Sequence, residues 1–152
     1  MNKNQVTLCS ACLLGTPCAY DGKPRTNEKI IALSKKEMFI PICPEVLANL
    51  LTPRNPAEIY FADGIDIIDG KAHVYTKERE DVTLPFLRGA YRVLGIARSI
   101  ESVRFIGKSR SPSCGVGQIY DGTFTKTLRD GDGVTSALLR SKGLTVLTEE
   151  NI

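Results

Sequence analysis

The sequence predicts an α/β fold: a Rossmann-like three-layer sandwich with a mostly parallel central sheet. Two observations predict it. Short apolar runs alternate along the chain with longer stretches of helical periodicity, and four strand-like runs are separated by segments long enough to cross over between parallel neighbours. Length adds a third. With 152 residues the chain is sized for one domain spanning 1–152, able to bury a core without staples, and it contains no internal repeat, low-complexity tract or linker.

Val6 to Cys9 reads as a first strand that ends where small residues begin. Glu28 to Lys36 carries Ile30, Ile31 and Leu33 between charged residues, as an amphipathic helix does. Phe39, Ile40 and Ile42 form a second strand whose internal Pro41 cannot donate to a ladder, which suits an edge. Further on, Asp66 to Ile68 and Ala72 to Tyr75 read as a hairpin across Asp69-Gly70. Asp81 to Arg98 is the longest helical pattern, with Pro85 tolerated in its first turn. Val103 to Ile106 makes a third strand and is followed by a loop, Gly107 to Gly117. A helix from about Gly133 to Ser141, stopped by Gly143, leads into a last strand, Leu144 to Leu147.

Hydrophobic residues make up 42% and charged residues 24%, the balance of an ordinary soluble globule. The net charge of +3, from 20 basic and 17 acidic residues, is too weak to announce nucleic acid. It is compatible with a small anionic or polar molecule. Met1 to Val6 is polar, no apolar run reaches the length of a membrane span, and a cytoplasmic location is expected. In that reducing compartment five cysteines are better read as metal or catalytic ligands than as disulfides. The lone histidine, His73, excludes most imidazole zinc sites and most His-dependent acid–base schemes, and its place in the expected hairpin makes it a surface residue.

Cysteine position carries the functional argument. Cys9 falls at the end of strand one, Cys43 at the end of strand two, and Cys114 in the loop after strand three. In a parallel sheet those ends share one rim, where ligands bind at the point of reversed strand order. Three thiols there, without imidazole, favour a soft metal centre. Cys9 and Cys12 form a C-x-x-C pair, readable as a zinc half-site or a redox pair. Cys12 and Cys18 are equally readable as core or loop residues. Pro44 and Glu45 follow Cys43, setting a carboxylate beside the thiol, although a first-turn acid favoured by the helix dipole is the plain alternative. Cys114 closes Lys108-Ser109-Arg110-Ser111-Pro112-Ser113-Cys114-Gly115, a loop whose hydroxyls and amides can turn toward an anion. Asp21 and Asp121 precede glycines as turn residues do, Arg54 between Pro53 and Pro56 orients a ligand or fixes a loop, and Gly131-Asp132-Gly133 caps the helix that follows.

Several segments, in order and nearly end to end, are similar to the thiouracil desulfurase family: Cys9 to Gly15, Cys18-Ala19-Tyr20-Asp21-Gly22, Cys43-Pro44-Glu45-Val46-Leu47, Pro53-Arg54, Ser109 to Gly115, Ile119 to Phe124, and Gly131 to Thr135. The Ser-Pro-Ser-Cys-Gly element is the most specific. The resemblance implies an enzyme that removes sulfur from a thiolated nucleobase such as 2-thiouracil, giving uracil and sulfide without net redox change. It further implies a 4Fe–4S cluster held by three cysteines, with the fourth iron left to take the substrate's sulfur. Carried onto this chain, the ligands are Cys43, Cys114 and Cys9, the last taken over Cys12 for its place at the strand end while Cys12 stays open as its replacement or addition; Glu45 is the acid–base carboxylate that deprotonates an attacking water, and Ser111 is the active-site serine. Ser10, Ser109 and Ser113 are then candidate substrate-binding hydroxyls. Ala19, Ala48-Asn49-Leu50 and Asn55 depart from the family's pattern around the site without removing a ligand.

Two other readings compete. Cys9, Cys12, Cys43 and Cys114 could close a zinc or iron–sulfur site with no open position, which would serve structure or electron transfer. Cys9 and Cys12 alone could run thiol–disulfide exchange, which leaves Cys43, Glu45 and Cys114 without roles.

Overall fold

A computed structural model of the protein describes residues 5–152, so most of the polar N-terminal stretch, residues 1–4, lies outside the described residues. Four parallel strands form the central sheet: β1 (Val6–Ser10), β2 (Met38–Ile42), β5 (Arg104–Gly107) and β8 (Thr145–Thr148), in the order β2-β1-β5-β8. These are the four expected strands. β2 is an edge, as Pro41 requires, and pairs in register from Val6 opposite Met38 to Ser10 opposite Ile42. The chain leaves β1 toward one side of the sheet and reaches β5 on the other, so strand order reverses between β1 and β5.

Alternation along each strand sorts the core into two layers. Leu8, Phe105 and Val146 face one side, with α3 (Gly64–Ile68), α4 (Thr83–Ser99) and α5 (Val134–Ser141). Cys9, Ile106 and Leu147 face the other, against Ile30 and Leu33 of α1 (Glu28–Ser34) and a 3₁₀ turn, Ala11–Leu14. The result is the helix–sheet–helix sandwich expected. Among the described residues no helix is long and apolar enough to cross a membrane.

One expected element is overturned. Asp66 to Ile68 belongs to α3, not to a hairpin strand, because Asp63 accepts from the amides of Ile65 and Asp66 while the Asp66 carboxylate accepts from the Asp63 amide. That reciprocal capping box fixes a helix start. The hairpin partner of β4 (Val74–Thr76) is instead β3 (Ala57–Ile59). A second hairpin, β6 (Gln118–Tyr120) with β7 (Leu128–Asp130), follows the cysteine loop.

Two glycines allow elements to meet at the site. A Cβ on Gly89 of α4 would lie 2.2 Å from the Pro44 carbonyl oxygen, where α4 packs on the short helix α2 (Pro44–Leu47). A Cβ on Gly107, the last residue of β5, would lie 2.1 Å from the Cys114 carbonyl oxygen.

Candidate active site

A cavity of about 420 Å³ opens at the C-terminal ends of β1, β2 and β5, beside the reversal of strand order where α/β sheets bind ligands. Four thiols line it: Cys12, Cys18, Cys43 and Cys114. Cys12 sits in the 3₁₀ turn after β1, Cys43 is the residue before α2, and Cys114 ends the Ser-Pro-Ser-Cys loop after β5. Cys18 comes from the loop that follows the turn, and its thiol is within hydrogen-bonding reach of those of Cys12 and Cys43. All five cysteines are free thiols.

Cys9 is not among the four, so the structure does not bring this expected ligand to the cavity. It is a strand residue flanked by Leu8 and Ser10, so its side chain takes the opposite face and packs fully buried in the α1 layer with Leu13, Ile30 and Ile106. Burial, helped by the Glu149 charge, pushes its thiol up to about 12. Cys12, three residues on, has left the strand and turns to the cavity. The period of two along Val6–Ser10 was the available signal.

Three of the cavity thiols, Cys18, Cys43 and Cys114, are held as neutral donors. Burial raises Cys114 well above the ordinary thiol range, and the hydrogen bond with Cys18 followed by burial does the same for Cys43. Cys18 is pushed up to about 11, chiefly by its hydrogen bond with Cys12. A bound metal centre reverses this preference, since a coordinating thiol is deprotonated outright.

Glu45, in the first turn of α2, meets Arg54 across the cavity: Nε donates to Oε1 at 3.5 Å and the guanidinium to Oε2 at 3.4 Å. Those distances are at the long limit, so the carboxylate is steadied without being locked. Burial pushes the Glu45 carboxyl above its usual range, and Arg54 pulls part of the way back. Arg54 also donates to the Cys18 carbonyl at 2.9 Å. Of the two readings of Arg54, fixing the loop is visible, and fixing Glu45 is added to it.

The Ser-Pro-Ser-Cys loop is a tight turn closed by the Gly115 amide on the Ser111 carbonyl, 2.8 Å. The Ser111 hydroxyl oxygen accepts from the amides of Ser113 and Cys114 at 3.2 and 3.1 Å, which leaves its proton to donate. Ser10 lines the cavity, accepts from the Lys108 amide at 3.0 Å and reaches the Cys114 thiol. Ser109 also lines it, but its hydroxyl is engaged by Glu149 at 2.7 Å and Lys108 at 2.8 Å. Glu149 also accepts from the Ser109 amide and pairs with Lys108, tying the chain's end to this loop. Ser113 is not brought to the cavity. It is buried, and its carbonyl accepts from Thr135 and Ser136 at the start of α5.

The facing wall comes from β3 and from the connection between β6 and β7. Glu58 lines the cavity and is 8% exposed; its Oε1 accepts from the amides of Gly122 and Phe124 at 3.0 and 3.1 Å. Tyr120, Phe124 and Lys126 line this wall with Lys77. Lys77 and Lys126 have no carboxylate partner among the described residues, whereas Lys108, Arg110, Arg25 and Arg54 are all paired. The cavity is thus more cationic than the net charge suggests. Sequence reasoning passed over Glu58 and both lysines; an acid between Ala57 and Ile59 in an otherwise apolar strand was the one visible sign.

The remaining candidates lie elsewhere. His73 pairs with Asp81 at 2.8 Å on the surface. Asp21 and Asp121 accept from amides two residues on, as turn residues do. Gly133 stands at the N-terminus of α5, while Asp132 accepts from Gly117 at 2.8 Å.

The donor set fits an iron–sulfur centre. It consists of thiols, with no imidazole among the lining residues, and soft thiolates are the ligands such clusters take. The thiols are spread around a wall: among the described residues no group of three His, Cys, Asp or Glu is gathered about one ion.

Comparison with known proteins agrees with this chemistry. The 2-thiouracil desulfurase family matches residues 7–151. An uncharacterised protein of Bacillus subtilis (strain 168), YbbK, is 41% identical over 145 residues, covering 95% of this chain and 96% of that protein. A solved structure, described as the 4Fe–4S-dependent thiouracil desulfidase TudS, superposes with a TM-score of 0.83 at 38% identity, covering 96% of this chain and 91% of that one.

Proposed function

The chain belongs to the 2-thiouracil desulfurase family, and from that premise we propose that it is a 4Fe–4S-dependent desulfurase converting a thiolated pyrimidine such as 2-thiouracil into the oxygen analogue and sulfide. The observation that carries the reading is one cavity faced by Cys12, Cys43, Cys114 and the Glu45 carboxyl. The cluster ligands are Cys12, Cys43 and Cys114, one from each strand end, with Cys18 beside Cys12 and Cys43. When bound, such a cluster with one iron free of protein ligands supplies a thiophilic Lewis acid for a departing sulfur.

The chain's own groups do the rest. Glu45 takes a proton from the water that attacks the thiocarbonyl carbon; burial raises the affinity of its carboxyl for that proton, which suits a proton carrier near neutral pH. Arg54 keeps Glu45 aimed. The Ser111 hydroxyl, its oxygen occupied by two amides, donates its proton to the heterocycle. Ser10 supports the Cys114 sulfur. Lys77 and Lys126 suit an anionic substituent on the substrate, so a nucleotide is a better candidate than the overall charge implies.

The test is anaerobic purification, iron and sulfide analysis, and incubation with 2-thiouracil and with thiolated uridine and its 5′-monophosphate. Uracil-type product and free sulfide are expected, and Glu45→Gln should retain iron while losing turnover. Cluster-loaded protein that leaves every thiolated substrate unchanged overturns the proposal.

A further inference from the structure

We propose that Glu58 is a substrate-binding residue: one carboxylate oxygen fastens the connection over the cavity, and the other is left to accept a ring N–H of the heterocycle. The inference rests on the proposed function for the identity of that heterocycle, and on geometry for the rest.

Residues 121–127 form a strap between β6 and β7. Its hydroxyls make a ladder, Thr123 to Thr125 at 2.6 Å and Thr125 to Thr127 at 2.7 Å. Phe124 and Lys126 have φ of 58° and 60°, left-handed conformations that a non-glycine residue holds only when its surroundings fix them. Gly122 lies against β3, where a Cβ would come within 2.7 Å of the Tyr60 Cα, and the Phe61 amide donates to the Asp121 carbonyl. Glu58 Oε1 completes the attachment through the Gly122 and Phe124 amides, which sets Phe124 and Lys126 in the cavity wall.

That task does not need a carboxylate. A glutamine carbonyl accepts from two amides equally well. Among the described residues Glu58 has no Lys, Arg or His in salt-bridge contact, and its Oε2 receives no protein hydrogen bond. Glu58 Oε2 is not among the buried side-chain atoms that lack a partner, so it keeps some exposure, and the residue lines the cavity. The missing donor has a natural source. Pyrimidines of the uracil type, thiolated or not, carry N–H groups beside the exocyclic atoms, and a carboxylate binds an N–H in a strong charge-assisted hydrogen bond. Tyr120 and Phe124 in the same wall offer the ring apolar faces. Glu45 and Glu58 thereby divide the work: one moves a proton, the other orients the ring.

The test uses cluster-loaded wild type, Glu58→Gln and Glu58→Ala. Glutamine keeps the acceptor for the strap but turns an N–H₂ toward the cavity, so uracil binding measured by calorimetry should weaken by about tenfold or more. For 2-thiouracil, KM should rise by a similar factor with kcat within about twofold, the pattern of lost uniform binding. Iron and sulfide content should stay at the wild-type level. One of the two ring-N-methylated thiouracils should show no difference between wild type and Glu58→Gln, because it lacks the N–H in question. Glu58→Ala should also speed amide exchange at Gly122 and Phe124. The uracil and exchange arms need no turnover, so they read Glu58 even if the proposed reaction fails. Wild-type uracil affinity in Glu58→Gln, absence of uracil binding by the wild type, a penalty that persists on both methylated rings, or unchanged exchange in Glu58→Ala overturns the proposal.

Discussion

Arg54 holds Glu45 and the Cys18 carbonyl with one guanidinium: it reaches both Glu45 oxygens at 3.4–3.5 Å and the carbonyl at 2.9 Å. The carboxylate proposed to handle the proton and the cysteine segment are therefore positioned by one rigid planar fork. Replacing Arg54 with Met should lower kcat by about 100-fold, the cost of a misplaced catalytic group, while bound iron is unchanged. Arg54→Lys should recover only a small part, because an ammonium cannot span the three acceptors. Parallel iron assays and steady-state kinetics check both.

The five cysteines should separate cleanly by iron content after anaerobic reconstitution. Cys12→Ser, Cys43→Ser and Cys114→Ser should each lose the cluster. Cys18→Ser should keep it, and Cys9→Ala should keep it with a stability loss of about 1 kcal/mol for the removed apolar volume. A chain that loses iron on Cys9→Ala and keeps it on Cys12→Ser would reverse the assignment.

Glu58 should make stability depend on pH in a set direction. Burial, with the nearby Asp121 charge adding to it, raises its folded carboxyl above the usual range even though two amides act against the rise. The folded state then holds the proton more tightly than the unfolded chain. Its contribution is most favourable below the ordinary carboxyl range and declines as pH rises through the raised value. Glu58→Gln should therefore melt progressively higher relative to wild type as pH increases from about 4.5 toward neutrality, at matched iron content. A difference that is flat over this interval would refute the claim.

Gly89→Ala is expected to destabilise by about 3 kcal/mol, because the new methyl would meet backbone, the Pro44 carbonyl, and neither partner can rotate away. Gly95→Ala in the same helix, where nothing lies within 4 Å, should be neutral or stabilising by about 1 kcal/mol. Denaturant titration of the pair isolates packing from helix propensity.

The four sheet strands, the edge position of β2 and the rim as the place of the cavity were legible because apolar periodicity and Pro41 act locally. The Asp66–Ile68 segment was misjudged because a capping box outranked the turn signal of Asp69-Gly70. Cys9 misled for a related reason: the end of a strand was read from its last apolar residue, and the side-chain direction was left out. Glu58 and Arg54 were illegible as partners because their meaning lies in contacts with Gly122, Phe124 and Glu45, set by tertiary packing alone.

Glu149 ties Lys108 and Ser109 to the far end of the chain, and β8, which precedes it, completes the sheet beside β5. The consequence is mechanical. The loop that carries Cys114 is braced through Ser109 by a side chain just past β8, so a change that unseats β8 from β5 also releases that loop.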